Sequence, residues 1–247
     1  MACRVRIDRL LVERGLFESR AKAQSAIAAG RVTADDVVVA KPSEEISADA
    51  VLRAEPAHAY VSRGGVKLAA ALDHFRFDPM FDPSGRVCLD VGASTGGFTE
   101  VLLARGARRV YAVDVGRGQL HPSLRRRAEI VSMEATDIRV LDVARLAERP
   151  DFIVVDTSFI SLKLVLPAAL ALASPRTHVI ALIKPQFEAP RRHIKKGIVR
   201  DPAVHAAVCA EIADFVRSLG CTVTATFASP IAGADGNAEF FVAARRD

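Results

Sequence analysis

The stretch Leu89–Glu100, LDVGASTGGFTE, decides the fold because its three glycines stand directly behind an apolar run. A buried strand that enters a glycine-rich turn and then a helix is the usual ligand-binding corner of a doubly wound α/β domain. A dinucleotide site expects the spacing G-x-G-x-x-G, whereas this turn has Gly92, Gly96 and Gly97 and is preceded by Asp90. An acidic side chain is a poor neighbour for a pyrophosphate. The turn therefore favours a ligand with a cationic amino group over a nicotinamide dinucleotide.

Strand-like and helix-like patterns alternate from Arg86 to the end of the chain. Five apolar runs are predicted to be strands: RVCLDVGA, RVYAVDVG, AEIVSMEA, DFIVVDTSF and THVIALIKP. Helices are predicted over 98–105, 162–172 and 202–219, and apolar strands joined by helices indicate a parallel sheet. The closing runs CTVTATFASPI and AEFFVAARR have no helix between them and predict an antiparallel pair. The fold class is therefore α/β, a Rossmann-like domain with a seven-stranded, mostly parallel sheet and an antiparallel C-terminal hairpin.

Carboxylates at the ends of the first two strands indicate the ligand. Asp114 ends the second strand, where a carboxylate can accept hydrogen bonds from both hydroxyls of a ribose. Asp90 stands in the first turn, where the wide glycine spacing leaves room for an amino group. S-adenosylmethionine carries both groups, so it is the predicted cofactor. The residues predicted to bind it are Asp90, Gly92, Ser94, Gly96, Gly97, Phe98, Asp114 and Asp137.

Composition and charge narrow the class of partner. The net charge is +5, and basic residues cluster in 1–34, 105–127 and 184–200, which favours a polyanionic partner. The ten-residue apolar run from Leu164 contains a proline and is too short to span a bilayer. No secretory signal opens the chain, so we expect a cytoplasmic protein without membrane contact, and the cysteines lack the spacing of a zinc site, so we expect no metal. We also expect the protein to be monomeric. The cysteines expected to be reduced thiols are Cys3, Cys88, Cys209 and Cys221.

The first 57 residues form a small α+β domain ahead of the larger one. Ser19 and Gly30 bracket a predicted helix, and RVTADDVVVAKP predicts two short strands around Asp35 and Asp36. The segments RIDRLLVERGL and SRAKAQSAIAAGRV resemble the RNA-binding module named after ribosomal small-subunit protein S-four, although its usual Val-Asn-Gly turn is absent. The resemblance implies that basic residues of this module contact RNA phosphates. These candidates are Arg4, Arg6, Arg9, Arg14, Arg20, Lys22 and Arg31.

Seven motifs in order carry a second resemblance. They are YVSRGGVKL, LDVGASTGGFTE, VYAVDVGRGQL, VVDTSFISL, LIKPQFEA, KKGIVRD and GNAEFF. Together they are similar to the TlyA (haemolysin A) family, whose members join an S-four-type module to a class I methyltransferase domain related to FtsJ. The resemblance implies an enzyme that methylates a cytidine ribose 2′-hydroxyl in large-subunit ribosomal RNA, and in longer members also the small subunit. It places the domains at 1–57 and 63–247, with a linker at 58–62, and leaves open which ribosomal RNA is modified.

The FtsJ relatives use a Lys-Asp-Lys-Glu set, and this chain has a matching residue for each member. The resemblance implies that these catalytic residues are Lys67, Asp156, Lys184 and Glu239. Asp156 and Lys184 follow the fourth and fifth predicted strands, whose ends lie beside the glycine turn. A ribose hydroxyl is a weak acid, so Lys184 is predicted to stabilise the developing alkoxide or to take its proton. Asp156 would orient that lysine, and Lys67 with Glu239 would position the ribose.

Three other classes of function compete with this one. A non-catalytic ribosome-assembly factor could bind S-adenosylmethionine and RNA without needing the Lys-Asp-Lys-Glu set. A nicotinamide-dependent oxidoreductase would need the dinucleotide glycine spacing, which the turn lacks. A membrane-lytic protein would need an apolar span or a strongly amphipathic basic helix, and the sequence offers neither. The ribose methyltransferase is therefore the expected function, with the assembly factor as its alternative.

Overall fold

A computed structural model describes residues 4–233 and 235–247 of the chain. It divides into two compact units, Met1–Ala59 and Tyr60–Asp247. The division falls within residues 58–62, the stretch predicted as a linker. Cys3, one of the predicted thiols, lies outside the described residues, whereas Cys88, Cys209 and Cys221 are free cysteines.

The N-terminal unit combines two helices with short strands. Its elements are β1 (Arg4–Arg6), α1 (Ile7–Glu13), α2 (Arg20–Ala28), β2 (Val32–Ala34), β3 (Val37–Val38), β4 (Glu45–Ser47) and β5 (Leu52–Ala54). The Ser19 hydroxyl accepts a hydrogen bond from the Lys22 N–H and so caps α2, as predicted. β2 and β3 pair across Asp35 and Asp36, whose φ angles of 48° and 64° give the twist of a tight hairpin. The strands β1, β4 and β5 were not predicted, because β1 pairs with β4 and β5 with β2 across long stretches of sequence, and no local turn signals these pairings.

A seven-stranded sheet forms the centre of the larger unit. In chain order its strands are β6 (Val87–Val91), β7 (Arg109–Val113), β8 (Ile130–Met133), β9 (Phe152–Val155), β10 (Thr177–Ile183), β11 (Thr222–Ala228) and β12 (Phe240–Arg246). Their order across the sheet is β11-β12-β10-β9-β6-β7-β8. Strands β6 to β10 are parallel, whereas β12 runs antiparallel to both β10 and β11. This confirms the predicted fold class, including the antiparallel C-terminal hairpin.

Helices cover both faces of that sheet. They are α3 (Arg63–His74), α4 (Gly97–Ala104), α5 (Pro122–Arg125), α6 (Leu162–Leu172), α7 (Pro185–Glu188) and α8 (Pro202–Ser218). The predicted helix over 162–172 has the same bounds as α6. The prediction over 98–105 differs from α4 by one residue at each end, and the prediction over 202–219 differs from α8 by one residue at its C-terminal end. The four-residue helices α5 and α7 were not predicted, because a single turn shows no amphipathic period.

Buried apolar side chains fill the space on either side of the sheet. One face packs around Leu89, Ile153 and Leu166, and the other around Phe152, Leu68 and further residues of α3 and α4. The parallel register aligns the carboxyl ends of the central strands, with Val91 beside both Val113 and Val155. The residues that follow these three strands therefore lie side by side at one edge.

Within residues 4–233 and 235–247, no helix is long and apolar enough to cross a membrane.

Candidate active site

Two adjoining cavities open at the carboxyl edge of the sheet. The larger has a volume of 530 Å³ and extends along the ends of β6 and β7. The smaller, of 260 Å³, extends toward the start of α3. Gly92, Ser94, Asp156 and Ser158 line both cavities. The two cavities therefore meet beside Asp156.

Two positions of the LDVGASTGGFTE turn must be glycine, because neighbouring atoms lie too close to their Cα atoms to leave room for a side chain. Gly92 has a φ of 86°, and a Cβ there would lie 2.6 Å from the carbonyl oxygen of Asp156. A Cβ on Gly97 would lie 2.2 Å from the Ser62 Oγ and 2.7 Å from the backbone nitrogen of Gly65. The turn is therefore packed against the end of β9 and the start of α3, and a side chain at either position would displace them.

Asp114 and Asp137 line the larger cavity, as the cofactor prediction required. One carboxylate oxygen of Asp114 accepts the Ser94 N–H at 2.8 Å, and the other accepts the Gly116 N–H at 2.7 Å. A carboxylate has about four acceptor positions, so Asp114 keeps capacity for two further donors. Asp137 accepts hydrogen bonds from the Nε and Nη2 atoms of Arg139, which lower the pKa of its carboxyl group.

Asp90 and Gly96 lie behind the turn and line neither cavity. The Asp90 side chain is completely buried and accepts a hydrogen bond of 2.6 Å from the Thr99 hydroxyl. Burial raises the pKa of Asp90 to about 7, and its Oδ1 has no hydrogen-bond partner among the residues that the structure describes. Gly96 packs against Leu120 and Leu124, which would clash with a Cβ. The remaining predicted cofactor residues, Gly97 and Phe98, line the smaller cavity.

The predicted catalytic residues lie in two ion pairs at the smaller cavity. The Lys184 Nζ lies 2.7 Å from the Asp156 Oδ1 and donates a hydrogen bond of 2.9 Å to the Ser158 hydroxyl. The Lys67 Nζ lies 2.5 Å from the Glu239 Oε2. The side chains of this second pair are only 8% and 3% exposed. Lys67, Asp156 and Lys184 line the cavity, and Glu239 supports Lys67 from behind.

The structure shows that Lys67 is buried. α3 begins at Arg63, so Gly64 and Gly65 lie inside its first turn. Lys67 follows one turn later and faces inward, where Glu239 neutralises it. A paired ammonium tolerates burial that an unpaired one would not.

The segment before Glu239 is tied to the loop that follows α7. The buried Asn237 amide donates to the Gly197 carbonyl oxygen at 3.0 Å and accepts the Val199 N–H at 3.1 Å. A Cβ on Gly233 would lie 2.5 Å from the Glu239 Oε1. These contacts fix the approach of Glu239 to Lys67.

Several residues of the site are not evident from the sequence. Ser158 and Phe159 lie in the VVDTSFISL motif, and Gln119 lies in the VYAVDVGRGQL motif, five positions after Asp114. All three line the larger cavity. Phe159 has a φ of 65°, is 90% exposed and contacts the Phe187 ring. An exposed aromatic residue in the left-handed region is unusual, but neither property can be read from a single sequence.

The three basic clusters differ in how far their charges are neutralised. In 105–127 arginines at the surface pair with acidic residues far away in sequence, for example Arg105 with Asp73 and Arg108 with Glu148. In 184–200 five exposed cations form no ion pair with any residue that the structure describes. These five are Arg191, Arg192, Lys195, Lys196 and Arg200. The third cluster therefore presents uncompensated positive charge.

The candidate RNA contacts of the N-terminal unit fall into two groups. Arg6 and Arg20 pair with Asp8, whose side chain is fully buried and whose pKa is well below its usual range despite that burial. Arg9, Lys22 and Arg31 form ion pairs at the surface, which contribute little to stability and can exchange partners. Arg4 and Arg14 donate to backbone carbonyl oxygens of the same unit. Arg6 and Arg20 thus have a structural role besides any contact with RNA.

The order of strands, with an antiparallel last strand inserted beside β10, is that of the class I methyltransferases. The FtsJ-like methyltransferase model matches residues 60–246, and the S4 domain model matches residues 5–52. The chain belongs to the FtsJ-like methyltransferase family. Among residues 4–233 and 235–247, no group of three or more His, Cys, Asp and Glu side chains could hold a metal ion.

Relatives match nearly the whole chain. The 16S/23S rRNA (cytidine-2′-O)-methyltransferase TlyA of Mycobacterium tuberculosis is 43% identical over 245 residues, covering 98% of this chain and 90% of the relative. YqxC of Bacillus subtilis is 45% identical over 241 residues, covering 96% and 84%. A solved structure from Streptococcus thermophilus is 39% identical, with a TM-score of 0.77, and the match covers 100% of this chain and 90% of that one.

Proposed function

We propose that this protein transfers a methyl group from S-adenosylmethionine to the ribose 2′-hydroxyl of a cytidine in ribosomal RNA. The observation that carries the proposal is the pair of Lys184 and Asp156, 2.7 Å apart, where the two cavities meet. The assembly factor considered as the alternative would not need this pair. The relative in Mycobacterium tuberculosis is named for the same reaction.

The larger cavity fits S-adenosylmethionine in size and in chemistry. Its 530 Å³ lies within the range of small-molecule sites, and its wall at Gly92 leaves no room for a Cβ. Asp114 would accept the ribose hydroxyls, and Asp137 would lie at the far end of the nucleoside. When bound, the cofactor supplies an electrophilic methyl group on a sulfonium. The Asp90 carboxylate is buried behind the glycine turn. We therefore expect Asp90 to hold that turn in the shape that binds the cofactor, and not to contact the cofactor itself.

The smaller cavity supplies the groups that a ribose hydroxyl needs. The hydroxyl holds its proton at neutral pH, so its oxygen becomes a nucleophile only as that proton leaves. Lys184 can stabilise the negative charge that develops on the oxygen, and as a free amine it can accept the proton. Asp156 and Ser158 hold two sides of the Lys184 amine and orient it. Lys67, fixed by Glu239, positions the ribose.

Charge on both units supports RNA as the substrate. The match to the S4 domain covers residues 5–52, where Arg9 and Arg31 are exposed and Lys22 is half-buried. Lys184 directly precedes α7, and the five uncompensated cations of 184–200 lie in the segment that follows this helix. Phosphate contacts of this kind position an RNA and depend on salt, while the pocket selects the nucleotide.

The proposal is tested by incubating the purified protein with ribosomal subunits and isotopically labelled S-adenosylmethionine. We expect label on the 2′-oxygen of a cytidine, located by mapping ribose methylation along both ribosomal RNAs. Asp114→Ala should weaken cofactor binding about tenfold or more, because it removes a charge-assisted acceptor, and should leave RNA binding unchanged. Label on a base, or none with either subunit, would refute the reaction.

The N-terminal unit gives a second prediction. Replacing Arg9, Lys22 and Arg31 with glutamine should weaken binding to ribosomal RNA and make it less dependent on salt. The slope of log affinity against log salt concentration should fall by about 0.7–0.9 for each phosphate that the variant no longer neutralises. Arg6 and Arg20 are left intact, because their replacement would leave the buried Asp8 without its partners and destabilise the unit rather than test RNA binding.

A matched control removes the same charge elsewhere. Arg105, Arg108 and Arg127 form surface ion pairs in the larger unit, and their replacement with glutamine should barely change the slope. Equal slopes for the two triple variants would mean that overall charge, and not the N-terminal unit, sets RNA affinity.

A further inference from the structure

The segment 115–121, part of the VYAVDVGRGQL motif, forms a loop between Asp114 and α5 to which the proposed mechanism gives no role. Its Gln119 side chain lines the larger cavity, while Leu120 is buried against Gly96 of the glycine turn. The His121 N–H donates to the Thr95 carbonyl oxygen at 3.1 Å. The loop therefore touches the cofactor cavity on one side and the glycine turn on the other.

The Glu134 carboxylate accepts three backbone N–H groups of this loop. Glu134, just after β8, accepts the Gly118 N–H on one oxygen at 2.8 Å. Its other oxygen accepts the N–H groups of Gln119 at 2.6 Å and Leu120 at 2.8 Å. Three successive N–H groups that converge in this way form an anion-binding nest, and here the chain fills it with its own side chain. The hydrogen bond from Leu120 leads the causes that lower the pKa of Glu134, so the side chain is ionised at neutral pH.

Other contacts tie the same two segments together. The Ala135 N–H donates to the Gly116 carbonyl oxygen at 2.8 Å, and the Thr136 N–H donates to that of Asp114 at 2.9 Å. Ala135 has a φ of 51°, a left-handed conformation that a non-glycine residue adopts only at a cost in free energy. The residues directly after β8 are therefore bonded to the loop through their backbone as well as through the Glu134 side chain.

Gln119 is placed by these bonds to meet a nucleoside. Its own N–H is one of the three that Glu134 accepts, so its backbone is fixed. Its amide rests against Gly116, where a Cβ would lie 1.8 Å from the Gln119 Nε2. An amide offers both a donor and an acceptor to the polar groups of a ligand. Gly116 thus leaves the space in which this side chain turns toward the cavity.

We infer that Gln119 is a contact residue for S-adenosylmethionine and that Glu134 is the positioning residue that holds the Gln119 backbone in place. The inference rests on the proposed function, since it assigns the larger cavity to that cofactor. Without the Glu134 carboxylate, three adjacent N–H groups lose their acceptor, and the Gln119 backbone loses the hydrogen bond that fixes it at the cavity wall.

The test measures the dissociation constant of S-adenosylmethionine by calorimetry on the full chain. Glu134→Ala should raise this constant about tenfold or more, the effect of losing one or more charge-assisted hydrogen bonds. Sodium acetate should restore part of the affinity in Glu134→Ala, because acetate can enter the emptied nest, whereas sodium chloride at equal ionic strength should not. Such rescue would not follow from a general loss of stability.

Two further variants complete the design. Glu148→Ala removes another carboxylate, held by the side chains of Arg108 and Arg109, and should change neither the affinity nor its response to acetate. Gln119→Ala should weaken binding, and adding it to Glu134→Ala should weaken binding little further, because both act through one contact.

Each outcome supports or overturns a named role. Parent-like affinity in Glu134→Ala, or an acetate effect equal to that of chloride, would overturn the role of Glu134. Unchanged affinity in Gln119→Ala, or full additivity in the double variant, would overturn the Gln119 contact. A parent protein that binds no S-adenosylmethionine would instead refute the proposed function, and the inference with it.

Discussion

Replacing Lys184 with alanine is expected to lower the rate of methyl transfer about a hundred- to a thousand-fold while S-adenosylmethionine still binds. Lys184 acts on the attacking oxygen, and removing one donor that stabilises developing charge typically costs this much. The measurement is single-turnover methylation of ribosomal RNA, together with the dissociation constant of the cofactor. Lys184 lines only the smaller cavity, so the two quantities should separate.

A comparison of substitutions distinguishes charge from shape. Lys184→Arg should be nearly as poor as Lys184→Ala, because a guanidinium keeps the charge but cannot accept a proton and does not fit the contacts with Asp156 and Ser158. Lys163→Ala is the matched control, since that lysine pairs with Glu211 at the surface. A Lys184→Ala enzyme that keeps more than about a tenth of the parent rate would contradict the proposed chemistry.

The sequence predicted the sheet and the edge at which the site forms. Strands such as β9 are apolar throughout, and longer helices such as α8 alternate buried apolar and exposed polar residues with the helical period, so both patterns are local. Asp114, Asp156 and Lys184 each directly follow a strand, and a parallel sheet brings such residues to one edge. Their proximity could therefore be inferred without coordinates.

Partners that meet through tertiary structure could not be inferred in this way. The pairing of Lys67 with Glu239 joins residues 172 positions apart, and nothing local shows that Lys67 is buried. Glu134 resembles any exposed acid in sequence, yet it accepts three backbone N–H groups. The basic clusters also looked alike, because the acids that neutralise arginines such as Arg108 lie elsewhere in the chain.

The direction of the Asp90 side chain also could not be inferred from the sequence. The sequence placed Asp90 in the glycine turn and assigned it to the amino group of the cofactor, whereas its side chain points into the protein interior and binds Thr99. Strand residues alternate between the two faces of the sheet, and which side a residue at the strand end takes depends on where the turn begins. That detail is set by backbone geometry and is not evident from residue type.

The buried pair of Lys67 and Glu239 gives the second large effect. Glu239→Ala should destabilise the larger unit by about 3–5 kcal/mol, because it leaves the Lys67 ammonium buried without a partner. The temperature of unfolding should fall on the order of 10 °C for a chain of this size. Thermal unfolding of the full chain measures this change, and methyl transfer should fall with it.

The double variant Lys67→Met with Glu239→Leu separates the two roles of the pair. Replacing both charges by apolar groups of similar volume is often nearly neutral for stability, so the unfolding temperature should return close to that of the parent. Methyl transfer should not return, because the ammonium at the wall of the smaller cavity is still missing and the ribose is no longer held. A double variant that regains both stability and activity would show that the pair only supports the fold. Recovery of stability alone would mean that an apolar contact can replace the ion pair in the fold but not in the reaction. The buried ion pair would then be present because methyl transfer requires the charge of Lys67.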